Sequence, residues 1–548
     1  MKSLFVLMTV SAVFACASSV WADAMSQRWD FVRGSCGTPE GTEKLLAALR
    51  QSKAAGCTHI LLGEDIGEST FERIPDQKPQ YLENVKKLLA AAKDMNLVVA
   101  PYLCHMGYTG RYLRRDGNLA AGMPVKDMIF AVKGDMAIPD ASAALDTSTL
   151  KEEGGRLVGR LKVKPFHHYR ISFATSEEPT GDMDEYLRVR SQGGKRSHCR
   201  IFPAVAKDGE SFFVLMTFNS LEAEEVTFDL AAKAGSVRDL KIEPAGFLLI
   251  IRRPLVPLTV ASEDGKTVYE EGRDYKPIFD PVMNAKPFRG EITICHQPAV
   301  MELTANSRIK SGEKLRVSFW HTYRIRSDQV SISLEDPRVL EILENEFRNV
   351  TKTWATGHYC LDYEEIRLSG WEPMPGGEKL KPGEMLARHF RKNYDALKKY
   401  DPKAVVYTWS DMFCPGHNAR PFAASGYYYL VNGNWDGSWE GLPKDVIVLN
   451  WYSPTDANVK FFAGRGHSQV LCCFADKVDT EGLKKRIQGW FDASAGSPDI
   501  LGFMYVTYAT DWSKMKEMFD LINTFDQWGV KKPVTPAGPV VKPPGETD

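Results

Sequence analysis

No two of the ten cysteines stand as a C-x-x-C pair, and only nine, an odd number, remain once Cys16 in the leader is set aside. That spacing excludes a zinc knuckle and a dense disulfide framework. The remaining cysteines sit largely in apolar runs such as APYLCH, HYCLDY and VLCCFAD, where a thiol packs as a small hydrophobe. There is no excess of either charge: 69 Lys and Arg face 70 Asp and Glu, a formal net charge of -1, which removes the electrostatic case for nucleic acid or a membrane surface as partner. Neither G-x-S-x-G nor H-E-x-x-H occurs, nor a Walker loop, nor G-x-G-x-x-G on a strand-to-helix turn. The familiar serine-hydrolase, metalloprotease and nucleotide-dependent mechanisms are thereby excluded, and the sequence calls for no cofactor and no resident metal.

What is present begins with a leader. MKSLFVLMTVSAVFACASSVWADA carries Lys2, an apolar run from Leu4 to Phe14, and the small-residue site Ala22-Asp23-Ala24. It reads as a secretory signal peptide over residues 1–22, too short for a stable membrane anchor, so a secreted or periplasmic protein with no integral membrane segment is expected. Lipidation at Cys16 fits less well because bulky Phe14 precedes it. At the other end VKKPVTPAGPVVKPPGETD, from Val530, is rich in proline and is expected to be disordered.

The 548 residues between and including these ends exceed one ordinary domain. WDFVRGSC, THILLGED and LVVAPYLC are strand-like and are separated by helix-like segments, giving a βαβαβ run. The alternation resumes with HYCLDYEEI, AVVYTWSDMF, VIVLNWY, QVLCCFAD and ILGFMYVTY. Nearly continuous apolar strands between helices imply a parallel sheet covered on both faces, and eight such units predict an α/β fold, a (β/α)8 TIM barrel. KLRVSFWHTY, residues 314–323, is also strand-like and fits either the barrel or the block that interrupts it. That block, residues 119–311, has short alternating runs such as RLKVKPFHHYRISFAT, FFVLMTFNS, EVTFDLA and FLLIIRRPL, and predicts an inserted antiparallel β-sandwich of carbohydrate-binding type. The barrel is then discontinuous, 25–118 and 312–529.

Active sites of such barrels lie at the C-terminal strand ends, so the residues that close each strand are the candidates. They are Glu64 and Asp65 after the second strand, His105 after the third, and Asp362, Glu364, Glu365 and Arg367 after the fourth. Trp409 and Asp411 follow on the fifth, Trp451 and Tyr452 on the sixth, Asp476 on the seventh, and Tyr505, Tyr508 and Asp511 on the eighth. Carboxylates among Trp and Tyr are what sugar cleavage needs: aromatic faces pack on a pyranose, and one protonated acid beside one carboxylate handles the leaving oxygen and the oxocarbenium charge. Crowded acids push their pKa values apart, which keeps one protonated near neutral pH. The plain alternative is an ion pair of Glu364 or Glu365 with Arg367, and core packing for the tryptophans. His417 and Asn418, in SDMFCPGHNARPF, suit a substrate loop or a turn, or with Asp411 a weak metal site; Trp435 and Trp439, in GYYYLVNGNWDGSWEGLP, suit a subsite wall or a self-packed loop. On a regular strand Asp362 and Glu364 face one way and Glu365 the other, so bringing all three to the mouth requires the strand to end near Tyr363.

HYCLDYEEIR, VVYTWSDMF, VIVLNWY and ILGFMYVTYATDW, spanning residues 357–512, resemble the strand endings of glycoside hydrolase family 20, the β-N-acetylhexosaminidases. The resemblance implies a general acid at Glu365 and, at Glu364, the carboxylate that orients a substrate 2-acetamido group. This chain departs from that pattern in having Glu364 in place of Asp and in lacking the His-x-Gly-Gly lead-in. WSDMFCPGHNA and YYYLVNGNWDGSWEGLPKDV are similar to poorly characterised exported barrel proteins of glycan-degrading bacteria. The expectation is an exported glycoside hydrolase acting on an oligosaccharide or polysaccharide, with a non-catalytic glycan-binding barrel as the alternative.

Overall fold

Eight strands pair in parallel, each with its neighbours, and the last closes on the first: β1 (Gln27–Arg33), β2 (His59–Gly63), β3 (Val98–Leu103), β4 (His358–Leu361), β5 (Val405–Trp409), β6 (Ile447–Asn450), β7 (Gln469–Phe474) and β8 (Ile500–Val506). The computed structural model describes residues 26–63, 78–179, 186–191, 196–199, 204–209, 211–285, 292–325, 329–451, 454–497, 499–507 and 512–524. The leader, the proline-rich tail and the candidates Glu64, Asp65, Tyr452, Tyr508 and Asp511 lie outside the described residues.

Strand alternation sorts the side chains into two cores. Trp29, Phe31, Tyr102, Cys360, Trp409 and Met504 pack together inside the barrel. Their neighbours in sequence, among them Val32, Leu103, Tyr359, Leu361 and Tyr505, pack against the helices outside. Those helices are α1 (Pro39–Ala54), α2 (Lys78–Asp94), α3 (Pro337–Thr353), α4 (Pro382–Tyr400), α5 (Asp456–Gly464), α6 (Thr480–Ser494) and α7 (Met515–Asn523). Thr38, Asp336 and Asp479 cap α1, α3 and α6 by accepting backbone N–H bonds, and Pro39 and Pro337 start the first two. The sequence reading passed over α3, although Val339, Leu343, Phe347 and Val350 mark its buried face at helical spacing. Between β5 and β6 there is no long helix; short turns at Asp411–Phe413, Phe422–Ser425 and Ser438–Gly441 carry the aromatic-rich loop instead.

The insertion between β3 and α3 contains three antiparallel sheets. One orders its strands as 204–208, 211–219, 168–175 and 237–244, the second as 151–153, 156–162, 225–230 and 187–191. The third has six strands in the order 268–269, 259–262, 314–321, 123–133, 136–139 and 301–302. Lys314–His321 therefore belongs to the insertion, paired with Met123–Lys133, and the barrel keeps its eight. FLLIIRRPL is not a strand. Phe247 and Ile250 enter the core of the six-stranded sheet, whereas Leu248, Leu249 and Ile251 enter the core shared with the barrel. Its residues are apolar on every side because this turn is the seam between two cores. Within it the buried Arg253 guanidinium pairs with Glu372 and with Asp336, the cap of α3, and donates to the carbonyls of Asn118 and Ala120 at 2.8 and 3.0 Å.

Asp30 is one of several buried acids away from the mouth. On β1 it faces the helix layer, accepts a 2.6 Å bond from Ser52 Oγ of α1, and leaves Oδ1 without a partner. Burial lifts its pKa to about 7. The folded protein thus keeps a proton that the unfolded chain has released, so this group lowers stability progressively as pH rises from near 4 to about 7. Asp30→Asn is expected to flatten that decline: Tm measured by differential scanning fluorimetry should fall less between pH 5 and pH 8 in the variant than in the parent.

Candidate active site at the mouth of the barrel

β4 ends at Leu361, and the backbone then does something a strand cannot. Asp362 Oδ1 accepts the N–H of Glu364 at 2.8 Å, an Asx turn, and Glu365 follows with φ +48°. Left-handed backbone at a residue with a long side chain costs on the order of 1 kcal/mol or more. It cancels the strand alternation: Tyr363 turns outward to hydrogen-bond His389 Nδ1 at 2.9 Å and pack on Phe390 and Phe413, while all three acids come to the mouth. The turn lies against the loop after β3, where a Cβ on Gly107 would stand 2.0 Å from the Glu364 carbonyl oxygen. Glycine is required there for close approach of the two backbones.

Each acid has a different set of partners. Asp362, buried, lies 3.1 Å from His105 Nδ1. Glu365 Oε2 accepts from Tyr108 Oη at 2.5 Å, Gln329 Nε2 at 2.8 Å and Arg367 Nη2 at 2.8 Å. Arg367 in turn lies over the Tyr429 ring, 4.6 Å from its centroid. Asp411, fully buried at the end of β5, accepts at Oδ2 from the N–H of Glu365 at 3.0 Å and from Asn418 Nδ2 at 3.1 Å, and its Oδ1 has no partner. Glu364 is half-buried and, among the described residues, receives only a 3.4 Å bond at Oε2, from Tyr102 Oη. Burial, then the charges of Asp362, Asp411 and Glu365, drive the Glu364 pKa well above the carboxylate range, with Arg33 at the end of β1 acting in the other direction. Burial likewise lifts Asp411 to about 7 against the bonds from Glu365 and Asn418.

Aromatic rings surround this group. Trp409 meets Trp451 edge to face at 6.5 Å, and the His417 ring meets Trp451 at 5.0 Å. Burial lowers the His417 pKa to about 4, so this imidazole is neutral. Three sequence candidates are not brought to the mouth. Trp435 is completely buried with its indole donating to the Ile366 carbonyl at 3.0 Å; Trp439 is buried against Phe461; Tyr505 faces the helix layer, because Met504 and Val506 take the inward positions. Asp476 accepts a hydrogen bond from Thr507 across β7 and β8. Among the described residues no group of three or more His, Cys, Asp or Glu is placed to hold an ion.

Tyr102, Tyr108, Gln329 and Arg33 belong to the mouth and were missed in the sequence. Tyr102 was findable, since with Ala100 it takes the inward positions of β3, alternating with Val99 and Leu103. Gln329 carries no local signal; it arrives from the far end of the insertion.

No protein-family profile matches the sequence, and no curated protein does. Among solved structures, the chain is similar to a rhamnosidase from Novosphingobium sp. PP1Y at 11% identity and TM-score 0.31, over 89% of this chain and 55% of that one, so it spans little more than half of that enzyme. It is also similar to the tandem GH20 catalytic modules of the pneumococcal exo-beta-D-N-acetylglucosaminidase StrH, at 8% identity and TM-score 0.35 over 93% and 86% of the two chains. A family 89 glycoside hydrolase from Clostridium perfringens follows at 9% identity and TM-score 0.24, over 74% and 67%. All three are glycoside hydrolases, and likenesses this distant carry no argument about what this chain does.

Gly107→Ala tests the packing of the turn. It pushes on the Glu364 carbonyl, so activity against any substrate the parent turns over should fall on the order of a hundredfold, the cost of roughly 1 Å of misplacement. Circular dichroism should remain that of the parent.

Proposed function

We propose that this chain is a glycoside hydrolase that cleaves glycosidic bonds by carboxylate acid/base chemistry. One observation carries the reading: adjacent residues of a single turn have opposite surroundings. Glu365 Oε2 pairs with the Arg367 guanidinium and accepts from Tyr108 and Gln329, whereas burial and three neighbouring acids drive the Glu364 pKa well above the carboxylate range. An acid that keeps a proton near neutral pH beside a carboxylate that does not is the pair glycoside cleavage requires.

The roles differ from those the family 20 resemblance implies. The contacts favour Glu364 as general acid and Glu365 as the charged partner that faces the developing oxocarbenium ion. Trp409, Trp451 and His417 supply the apolar walls. We also read the two four-stranded sheets of the insertion as the expected sandwich, and the leader as directing export.

Glu364→Gln and Glu365→Gln, assayed on aryl glycosides and natural glycans with and without a 2-acetamido group, decide the assignment. In the parent, activity should decline as pH rises through the elevated pKa of Glu364, since the acid must be protonated. Glu364→Gln should lose 10²–10⁴-fold on sugar leaving groups and much less on activated aryl ones, which need no proton. Glu365→Gln should lose activity on both. The opposite pattern would restore the family 20 assignment, and glycan binding without turnover in the parent would favour the non-catalytic barrel.

A further inference from the structure

Resting on that reading, we infer that Trp409 and Tyr102 form a two-residue relay that decides which oxygen of Glu364 carries the catalytic proton. Tyr102 is the penultimate residue of β3 and Trp409 ends β5, both facing into the barrel. The Trp409 indole N–H lies 2.6 Å from Tyr102 Oη. An indole nitrogen only donates, so the phenol oxygen is the acceptor in this bond and its own proton must be given elsewhere. The acceptor in reach is Glu364 Oε2, at 3.4 Å. Catalytic hydrogen bonds of this length before substrate binds commonly shorten in the complex.

The consequence is directional. With Oε2 receiving a proton, a neutral Glu364 carries its own on Oε1, the oxygen with no bond to the protein among the described residues. In the reaction the Oε1–H bond breaks as the proton passes to the glycosidic oxygen, and the electron pair of the C1–O bond leaves with the departing sugar. Glu364 becomes a carboxylate and regains a proton from the water that completes hydrolysis. The relay is rigid because Trp409 is buried between Phe31 at 5.8 Å and Trp451 at 6.5 Å, while the edge of His105 fixes the Tyr102 ring at 4.7 Å. Tyr102 and Trp409 are thus positioning residues that act through Glu364.

Tyr102→Phe keeps the ring and removes the donor, and two readouts test it in the full chain. The first needs no substrate: the carboxyl C=O stretch that infrared difference spectra assign to Glu364, by its loss in Glu364→Gln, should move to higher frequency in Tyr102→Phe. An unmoved band overturns the relay. The second is hydrolysis: kcat should fall about tenfold or more on sugar leaving groups, with activated aryl glycosides and KM little changed. Equal losses on both substrates also overturn it. If the parent cleaves no glycoside, the functional reading fails, and the infrared band still decides whether the relay exists.

Discussion

Four carboxyl groups drawn to one partly buried mouth cannot all be ionised at no cost, because like charges held largely out of water repel strongly. Much of the surrounding structure consists of the means by which that conflict is resolved. Asp362 has an imidazole beside it, Glu365 a guanidinium, and Asp411 two N–H donors. Glu364 is left with a phenol and the proton. Removing any one of these partners would redistribute charge among all four, so the site is a single electrostatic unit.

Those partners arrive from distant parts of the chain, which gives the insertion a reason to pack where it does. Gln329, one of three donors on Glu365, is on the segment that returns from the last insertion strand to α3. Arg196, also from the insertion, donates to the Val431 carbonyl at 3.0 Å and lies 3.5 Å over the Tyr427 ring. That loop continues through Tyr429, the ring beneath Arg367, and Leu430–Val431 pairs in parallel with Leu368–Ser369 just beyond the acids. The insertion therefore braces the loop that holds the cation that holds Glu365. Arg253 fastens the same region from the other side by pairing with Glu372. A buried pair of this kind contributes little net stability but is costly to break from one side, by about 3–5 kcal/mol.

The barrel was legible because buried parallel strands are apolar on both faces and stand out from the helices between them, and the candidate acids because strand ends define the mouth. What escaped was of two kinds. Trp435 and Trp439 look the same in sequence whether a loop folds back on itself or opens to a ligand; Trp435 is buried because its indole caps the Ile366 carbonyl, a contact 69 residues away along the chain. FLLIIRRPL has strand composition but sits where two cores meet, so it is apolar without needing a partner strand. The different surroundings of Glu364 and Glu365 were invisible for a similar reason. It depends on Arg367, Gln329 and Tyr108 all choosing one neighbour over the other.

That choice is made by the backbone. In a regular strand the side chains of Glu364 and Glu365 would lie on opposite faces of the sheet, one of them lost to the helix layer. The Asx turn at Asp362 and the left-handed residue at Glu365 remove the alternation over two positions, and Gly107 makes room for the result. A glycine at 365 would relieve the strain but also delete the carboxylate, and an asparagine, which tolerates this backbone, would carry no charge. The strain persists because the Glu365 N–H is held by Asp411 and its carboxylate by three donors, contacts together worth more than the roughly 1 kcal/mol that the conformation costs. The same turn that creates the charge conflict thus also separates the two acids into different surroundings, one closed around by donors and the other half open at the mouth.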